Sequence, residues 1–226
     1  MSESTWNLSS HLRELRQRVV VSFAAIVISS VVAYVFAEEI AGFFMAPLFK
    51  AHPPLARLVY TNLTEAFITY IKLAVLVGLI ASFPVLVYEL WMYISPGLHR
   101  HEKRLAFKVV FWATLLFAGG VTFAFFVVMP KALVFLMSFA GENLEPLPKL
   151  DAYLTFVARA ALAFGLSFEI PFLMVVAGKT GLVSRDHFIK KRLYFYSAIV
   201  VIAFLLTAGD FFSAGLLALP LFGLYE

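Results

Sequence analysis

Long apolar runs alternate with short charged or proline-rich segments along this chain. Six runs stand out, at about 19–36, 63–94, 109–129, 153–177, 194–206 and 211–224. A helix needs about 20 residues to cross a hydrocarbon core of about 30 Å. The pattern therefore predicts an all-α, polytopic membrane protein with six transmembrane helices, of which the last two are short. Those two either cross a thinned bilayer or form a re-entrant hairpin.

Composition excludes a water-soluble protein. Hydrophobic residues make up 62% of the 226 positions and charged residues 14%, whereas soluble domains carry about 25% charged residues. We therefore expect residues 1–226 to form a single transmembrane domain. The chain has no cysteine, which excludes disulfide bonds and thiolate metal sites. The first apolar run lacks a small-residue cleavage site, so we expect no cleavable signal sequence.

The distribution of lysine and arginine predicts the orientation of the chain in the membrane. Twelve of these residues lie before the first run or in the loops after the second and fourth runs, and four lie in the loops on the other side. Basic loops stay on the cytoplasmic side, so we predict that both termini are cytoplasmic. The outer loops, 37–62 and 130–152, are rich in proline and apolar residues, which predicts packed caps or interfacial helices.

Glu169 is an ionisable residue inside the apolar run 153–177. A charged side chain at the bilayer centre costs about 2.5–3.5 kcal/mol on insertion scales, so such residues usually have a function. Burial favours the neutral acid, which can donate a hydrogen bond. Pro171 removes a backbone donor and should loosen the helix near Phe168 and Ser167. We predict a docking or translocation surface at Glu169; a hydrogen bond that only locks two helices together is the alternative.

The segment 10–18 alternates charged residues with leucines, which predicts a short amphipathic helix at the cytoplasmic surface. Glu14 lies four residues before Arg18, which is the spacing of a helical ion pair. Two interpretations stay open: Glu14 pairs only with Arg18, or it receives an external cation.

Glu102 is the only acid in the basic loop after the second run, where it either balances charge or binds a ligand. Two histidines nearby have poor spacing for metal ligands, and the chain has no glycine-rich phosphate-binding loop. We therefore expect no metal, no cofactor and no enzymatic activity. Asp210 follows a glycine between the last two runs and is expected to cap the final helix.

Several polar residues near the outer ends of the runs have local roles. Asn62 and Glu65 have the spacing of a capping box, and Asp151 is placed to cap the fourth run. Lys72 and Arg159 lie where long side chains can reach the interface, and we assign them no function.

A set of motifs occurs in one order along the chain. They are HLRELRQR at 11–18, FPVLVYELW at 83–91 followed by PGLHRHE at 96–102, and AFGLSFEIP at 163–171, with APL at 46–48 and LTAGD at 206–210. In this order and spacing they resemble the TatC family, the multi-span core component of the twin-arginine (Sec-independent) protein translocase. The resemblance covers essentially the whole chain.

The resemblance implies a receptor that binds the twin-arginine signal peptides of folded cargo proteins and exports the cargo with the proton gradient. It assigns signal-peptide binding to Glu14, Arg16, Arg18, Tyr93 and Glu102. A carboxylate and a guanidinium can form a bidentate, charge-assisted pair. Tyr93 stands where the family usually has Phe, and Glu89 stands where Gln is more usual.

The resemblance also places Glu169 in contact with a polar group on a single-span partner helix of the TatA or TatB type. Pro47 and Asp210 match outer-face positions with a structural role. The implied fold is a cupped-hand bundle of tilted helices in the bacterial cytoplasmic (inner) membrane, surrounded by lipid and assembled into homo- and hetero-oligomers. The resemblance implies no nucleic-acid partner.

Two other function classes fit part of the pattern. A proton-coupled small-solute transporter would use Glu169 as its carrier. Such a transporter predicts a paired cation at the same depth or matching internal repeats, and the sequence contains neither. A structural membrane scaffold would leave Glu14 and Glu102 replaceable.

Overall fold

The computed structural model describes residues 3–51, 58–94, 103–138, 147–179, 191–206 and 211–225. Apart from one isolated β-bridge between Val59 and Lys149, the regular structure in these ranges is helical, which confirms the all-α prediction. The helices are α1 (Glu3–Val35), α2 (Ala37–Ala51), α3 (Glu65–Ile94), α4 (Lys103–Phe123), α5 (Met129–Met137), α6 (Leu150–Lys179), α7 (Arg192–Leu206) and α8 (Phe211–Tyr225). A π-helical turn, Ala124–Val128, joins α4 to α5.

Four stretches of helix in the described part of the chain are long and apolar enough to cross a membrane. They are Leu12–Val35, Glu65–Tyr93, Phe107–Met137 and Leu150–Met174, and they coincide with the first four predicted runs. α7 and α8 have 15 residues each, or about 22 Å at 1.5 Å per residue. These lengths match the two short runs, whereas the count of six spans and the side of the termini stay predictions.

The N-terminal segment differs from its prediction. α1 runs without interruption from Glu3 to Val35, so residues 10–18 are part of a longer helix rather than a separate surface helix. The physical reason is local: this stretch has no glycine or proline, and its Leu, Arg, Glu and Gln residues are good helix formers. The Glu14–Arg18 pair is therefore built on the same helix as the first span.

The segment 37–62, which is predicted to lie outside the membrane as packed caps or interfacial helices, contains a helix, α2; its position at the interface stays a prediction. Pro47 lies inside α2 and is buried, and a proline there removes the backbone bond to the carbonyl of Phe43. The hydroxyl of Tyr153 on α6 donates to the carbonyl oxygen of Phe44 at 2.8 Å. The turn that the proline weakens is thus bonded to α6 by a side chain.

The described residues form two compact units. The first lies between Met1 and Ala37 and between Ala74 and Leu115, and the second lies between Glu38 and Leu73 and between Leu116 and Glu226. In the first unit α1 and α3 approach closely, because a Cβ added at Gly78 would lie 2.6 Å from the Cα of Ser30. The assignment of residues 1–226 to one domain stays a prediction.

α6 is the core helix of the second unit. Its residues Leu154, Val157, Ala158 and Phe164 are fully buried, and α7, α8 and the π-helical turn pack against it. Gly120 of α4 allows a backbone-to-backbone approach, because an added Cβ would lie 2.6 Å from the carbonyl oxygen of Phe164. This contact fixes α6 against α4 five residues before Glu169.

Candidate functional site

Two carboxylates hold one guanidinium in the first unit. Arg18 donates from Nε and Nη2 to Oε1 of Glu14 at 3.1 and 2.6 Å. It also donates from Nη1 to Oε2 of Glu89 at 3.1 Å. Glu14 and Arg18 lie one turn apart on α1, whereas Glu89 comes from α3. The Glu14–Arg18 pair predicted from the spacing is confirmed, and Glu89 completes a three-residue arginine cluster.

The arginine cluster is partly exposed. The exposed fraction of the side chain is 14% for Glu89, 20% for Arg18 and 35% for Glu14, so Glu14 is its accessible member. With both carboxylates ionised, the three side chains carry a net charge of −1. An ion pair in such a partly buried place is screened less by salt than one at the surface. The cluster therefore carries a net negative charge, whereas the other charged residues of the segment 10–18, Arg13 and Arg16, are basic.

Two of the other residues assigned to peptide binding lie on the same helices as this cluster. Arg16 is exposed on α1. Tyr93 is half-buried on α3, one helical turn beyond Glu89, and residues four apart lie on the same helix face. Glu102 and Asp210 lie outside the described residues. The structure thus brings together Glu14, Arg18 and Glu89, and no pattern in the sequence links Glu89 to Arg18.

Glu169 is buried on α6, with only 8% of its surface exposed. Among the described residues, its Oε1 has no hydrogen-bond partner, although the carboxyl group interacts with the backbone of Phe117. A buried polar atom without a partner costs about 1–3 kcal/mol. A polar group supplied by another helix would recover this cost once the atoms of this chain that cover Oε1 move aside.

Pro171 does not interrupt its helix, although it leaves the carbonyl of Ser167 without the usual helical donor; the predicted loosening near Phe168 and Ser167 stays a prediction. α6 continues as an α-helix to Lys179, and the hydroxyl of Ser167 donates to the carbonyl oxygen of Ala163 at 2.7 Å. A long helix tolerates one proline when its neighbours hold the remaining turns in place. Glu169 therefore projects from a continuous helix.

A second polar cluster ties α3 to α6 in the second unit. Lys72 donates to both oxygens of Asp151 at 2.9 and 3.0 Å, and the hydroxyl of Thr69 donates to the same carboxylate at 3.2 Å. Asp151 was expected to cap its helix; it lies one residue inside α6 and binds these α3 side chains instead. Lys72 thereby gains a structural partner that its position in an apolar run does not predict.

The first turn of α3 has part of the capping box that the sequence predicts at Asn62 and Glu65. The carboxylate of Glu65 accepts the backbone N–H of Thr61 at 2.7 Å and that of Asn62 at 3.3 Å. These bonds satisfy donors that precede the helix. The side-chain half of the predicted capping box is confirmed.

The comparison along the whole chain decides the family. The family model described as Sec-independent protein translocase protein (TatC) matches residues 10–220. The chain belongs to the TatC family. TatC of Escherichia coli K12 is 38% identical over 224 residues, which cover 99% of this chain and 87% of that protein. TatC of Aquifex aeolicus is 37% identical, over 97% of this chain and 91% of that one.

The fold is that of solved TatC structures as well. A crystal structure described as the twin arginine translocase receptor TatC has a TM-score of 0.87 at 36% identity, covering 96% of this chain and 95% of that one. A second structure, in the detergent DDM, has a TM-score of 0.86 at 35% identity. TatC membership favours protein translocation over small-solute transport. The chain is a multi-pass membrane protein of a translocase.

Proposed function

We propose that this chain is the signal-peptide receptor and core subunit of a twin-arginine translocase in the bacterial inner membrane. It exports folded proteins with the proton gradient and acts through binding rather than through enzymatic catalysis. The observation that carries this proposal is the guanidinium of Arg18 held between Glu14 and Glu89. A place that already binds one guanidinium has the chemistry required for the arginines of a signal peptide.

Arginine suits this site better than lysine does. The guanidinium is planar and presents five donors in a fixed fork, whereas the ammonium of lysine is a compact point charge. Glu14 receives the first arginine because it is the most exposed carboxylate of the cluster, and Glu102 receives the second. Tyr93 lies on the same face of α3 as Glu89 and contacts the apolar side chains of the peptide. Arg16, exposed on α1, contacts the peptide from another face of that helix. Arg18 belongs to the site through its bonds to Glu14 and Glu89.

Glu169 contacts a single-span partner helix of the TatA or TatB type. Its unpartnered Oε1 is the group that a polar side chain of the partner would satisfy. Interhelical hydrogen bonds in membranes contribute about 1 kcal/mol, which suits a reversible assembly. Pro47 and Asp210 keep the outer-face connections in place, and further copies of this chain join the same complex.

Peptide binding is tested with a labelled twin-arginine peptide and the purified protein in detergent, with a Lys-Lys peptide for comparison. We expect Glu14→Ala and Glu102→Ala to weaken binding of the Arg-Arg peptide about tenfold or more, because each removes a charge-assisted bond. Glu39→Ala is the matched control, since it removes an exposed acid from α2. Equal binding of both peptides, or unchanged affinity in both variants, would remove the receptor assignment.

The partner contact is tested by crosslinking to single-span partner proteins in membranes. Glu169→Ala should reduce crosslinking while peptide affinity stays at the parent value, because the side chain lies on α6 and not in the arginine cluster. Glu169→Gln should retain most of the crosslinking if a neutral hydrogen-bonding group is sufficient. Parent-like crosslinking in Glu169→Ala would contradict the assignment.

A further inference from the structure

We infer that Glu89 is a specificity-determining carboxylate of the arginine site and that Arg18 is the resident occupant, which an arginine of the bound peptide replaces. This assignment rests on the proposed function, because it describes how the same site recognises its peptide. It follows from the bonds that connect α1 and α3 in the first unit.

The two carboxylates bind different edges of one planar group. Glu14 takes the Nε and Nη2 edge of Arg18, and Glu89 takes Nη1. A single lysine ammonium has no such separated donors in a fixed plane. The space between Glu14 and Glu89 therefore selects a guanidinium, and the side chain of Arg18 marks where the guanidinium of a ligand would lie.

Burial gives this site a direction of entry. Glu89 is the most buried of the three side chains and Glu14 the most exposed. An incoming arginine meets Glu14 first. It completes its contacts with Glu89 only after Arg18 has left. Glu89 therefore contacts the part of the guanidinium that enters deepest. A ligand that left this buried carboxylate without a hydrogen bond would lose the most binding free energy there.

An arginine of the peptide can replace Arg18 without a step in which both carboxylates lack a partner. Arg18 uses one oxygen of each carboxylate, and a carboxylate has about four acceptor sites. The net charge of −1 also attracts a second cation while the first is still bound. An incoming guanidinium can thus bind the second oxygen of Glu14 before Arg18 turns outward from α1.

A purely structural ion pair makes the opposite prediction. If Arg18 only joins α1 to α3, its removal should lower the stability of the first unit and leave peptide affinity unchanged or weaker. If Arg18 competes with the peptide, its removal should raise peptide affinity. The sign of one affinity change therefore separates the two roles.

The experiment measures affinity of the labelled Arg-Arg and Lys-Lys peptides for the full chain in detergent. Arg18→Gln should bind the Arg-Arg peptide about three- to tenfold more tightly than the parent, because competing charge-assisted bonds are lost at a partly exposed site. Arg13→Gln is the matched control: Arg13 is exposed on the same helix, and the variant makes the same charge change. It should alter affinity by less than about twofold.

Glu89→Gln is the second variant, and it keeps the size of the side chain and the native Arg18. It should reduce the preference for Arg-Arg over Lys-Lys about threefold or more. The inference is overturned if Glu89→Gln keeps the parent preference for Arg-Arg, or if the affinity of Arg18→Gln does not rise. The receptor assignment still stands in that case if the parent binds the Arg-Arg peptide and Glu14→Ala does not. Absence of binding in all variants overturns both. If Arg18→Gln binds the Arg-Arg peptide and the parent does not, the result supports Arg18 as the resident occupant of the site.

Discussion

Gly120 is the position where a single added methyl group should loosen the second unit. A Cβ built there lies 2.6 Å from the carbonyl oxygen of Phe164 and 2.9 Å from the Cα of Gly165. Both are backbone atoms of α6, so neither can rotate away as the end of a side chain could. Gly120→Ala therefore forces α4 and α6 apart next to the turn that carries Glu169.

The magnitude follows from that geometry. Ordinary contact begins at 3.4 Å, so the helices must separate by about 0.8 Å at this point. Overpacking of a close contact costs about 1–3 kcal/mol, while Gly→Ala in a helix gains up to about 1 kcal/mol in propensity. Gly119→Ala shares that gain, because Gly119 is the preceding residue of α4 and a Cβ there meets nothing within 4 Å. The difference between the two variants is the packing cost alone.

The assay is unfolding in mixed micelles of mild detergent and dodecyl sulfate, followed by helical circular dichroism. We expect the free energy of unfolding of Gly120→Ala to be lower than that of Gly119→Ala by about 1–3 kcal/mol. In membranes, Gly120→Ala should also reduce crosslinking through Glu169, since α6 moves away from α4 next to that residue. Equal stability of the two alanine variants would refute the inferred backbone approach.

Two further predictions concern the contacts that join the outer segments to the helices. Tyr153→Phe removes the bond to the carbonyl of Phe44 and should lower the free energy of unfolding in the same assay by about 1 kcal/mol; parent-like stability would show that the turn at Pro47 needs no support. A double-mutant cycle of Lys72→Met and Asp151→Asn should give a coupling of about 0.5–1 kcal/mol, because the side chains are 47% and 34% exposed. This coupling should shrink as salt is added, and a value of zero would contradict a stabilising pair.

Features set by neighbouring residues were predictable from the sequence. The long apolar runs predicted the helices, and Glu65 binds the backbone before α3 as its spacing predicts. The burial of Glu169 also followed, because one acid in an apolar run has few other places to go. These predictions depend on the spacing of nearby polar residues and on the length of apolar runs, and both can be read from a single sequence.

Features set by contacts between distant residues were not predictable. Arg18 and Glu89 are 71 residues apart, and their meeting depends on the rotation of α1 and α3 about their axes. The same holds for Lys72 and Asp151, which are 79 residues apart. The π-helical turn Ala124–Val128 is followed by Pro130, which removes the bond to the carbonyl of Phe126, but a proline alone does not specify a π-helical turn. Periodicity identifies which face of a helix is apolar, but not which polar group a neighbouring helix will offer.

The continuity of α1 links two residues of the arginine cluster, Glu14 and Arg18, directly to the first membrane span. The helix has 33 residues and spans about 50 Å at 1.5 Å per residue. Bends in helices concentrate at proline, glycine or inserted groups, and α1 contains neither of those residues. It therefore behaves as a stiff rod without an internal hinge. In the proposed function, the displacement of Arg18 would act on the N-terminal half of α1, and a helix without a hinge would transmit that displacement into the first membrane span.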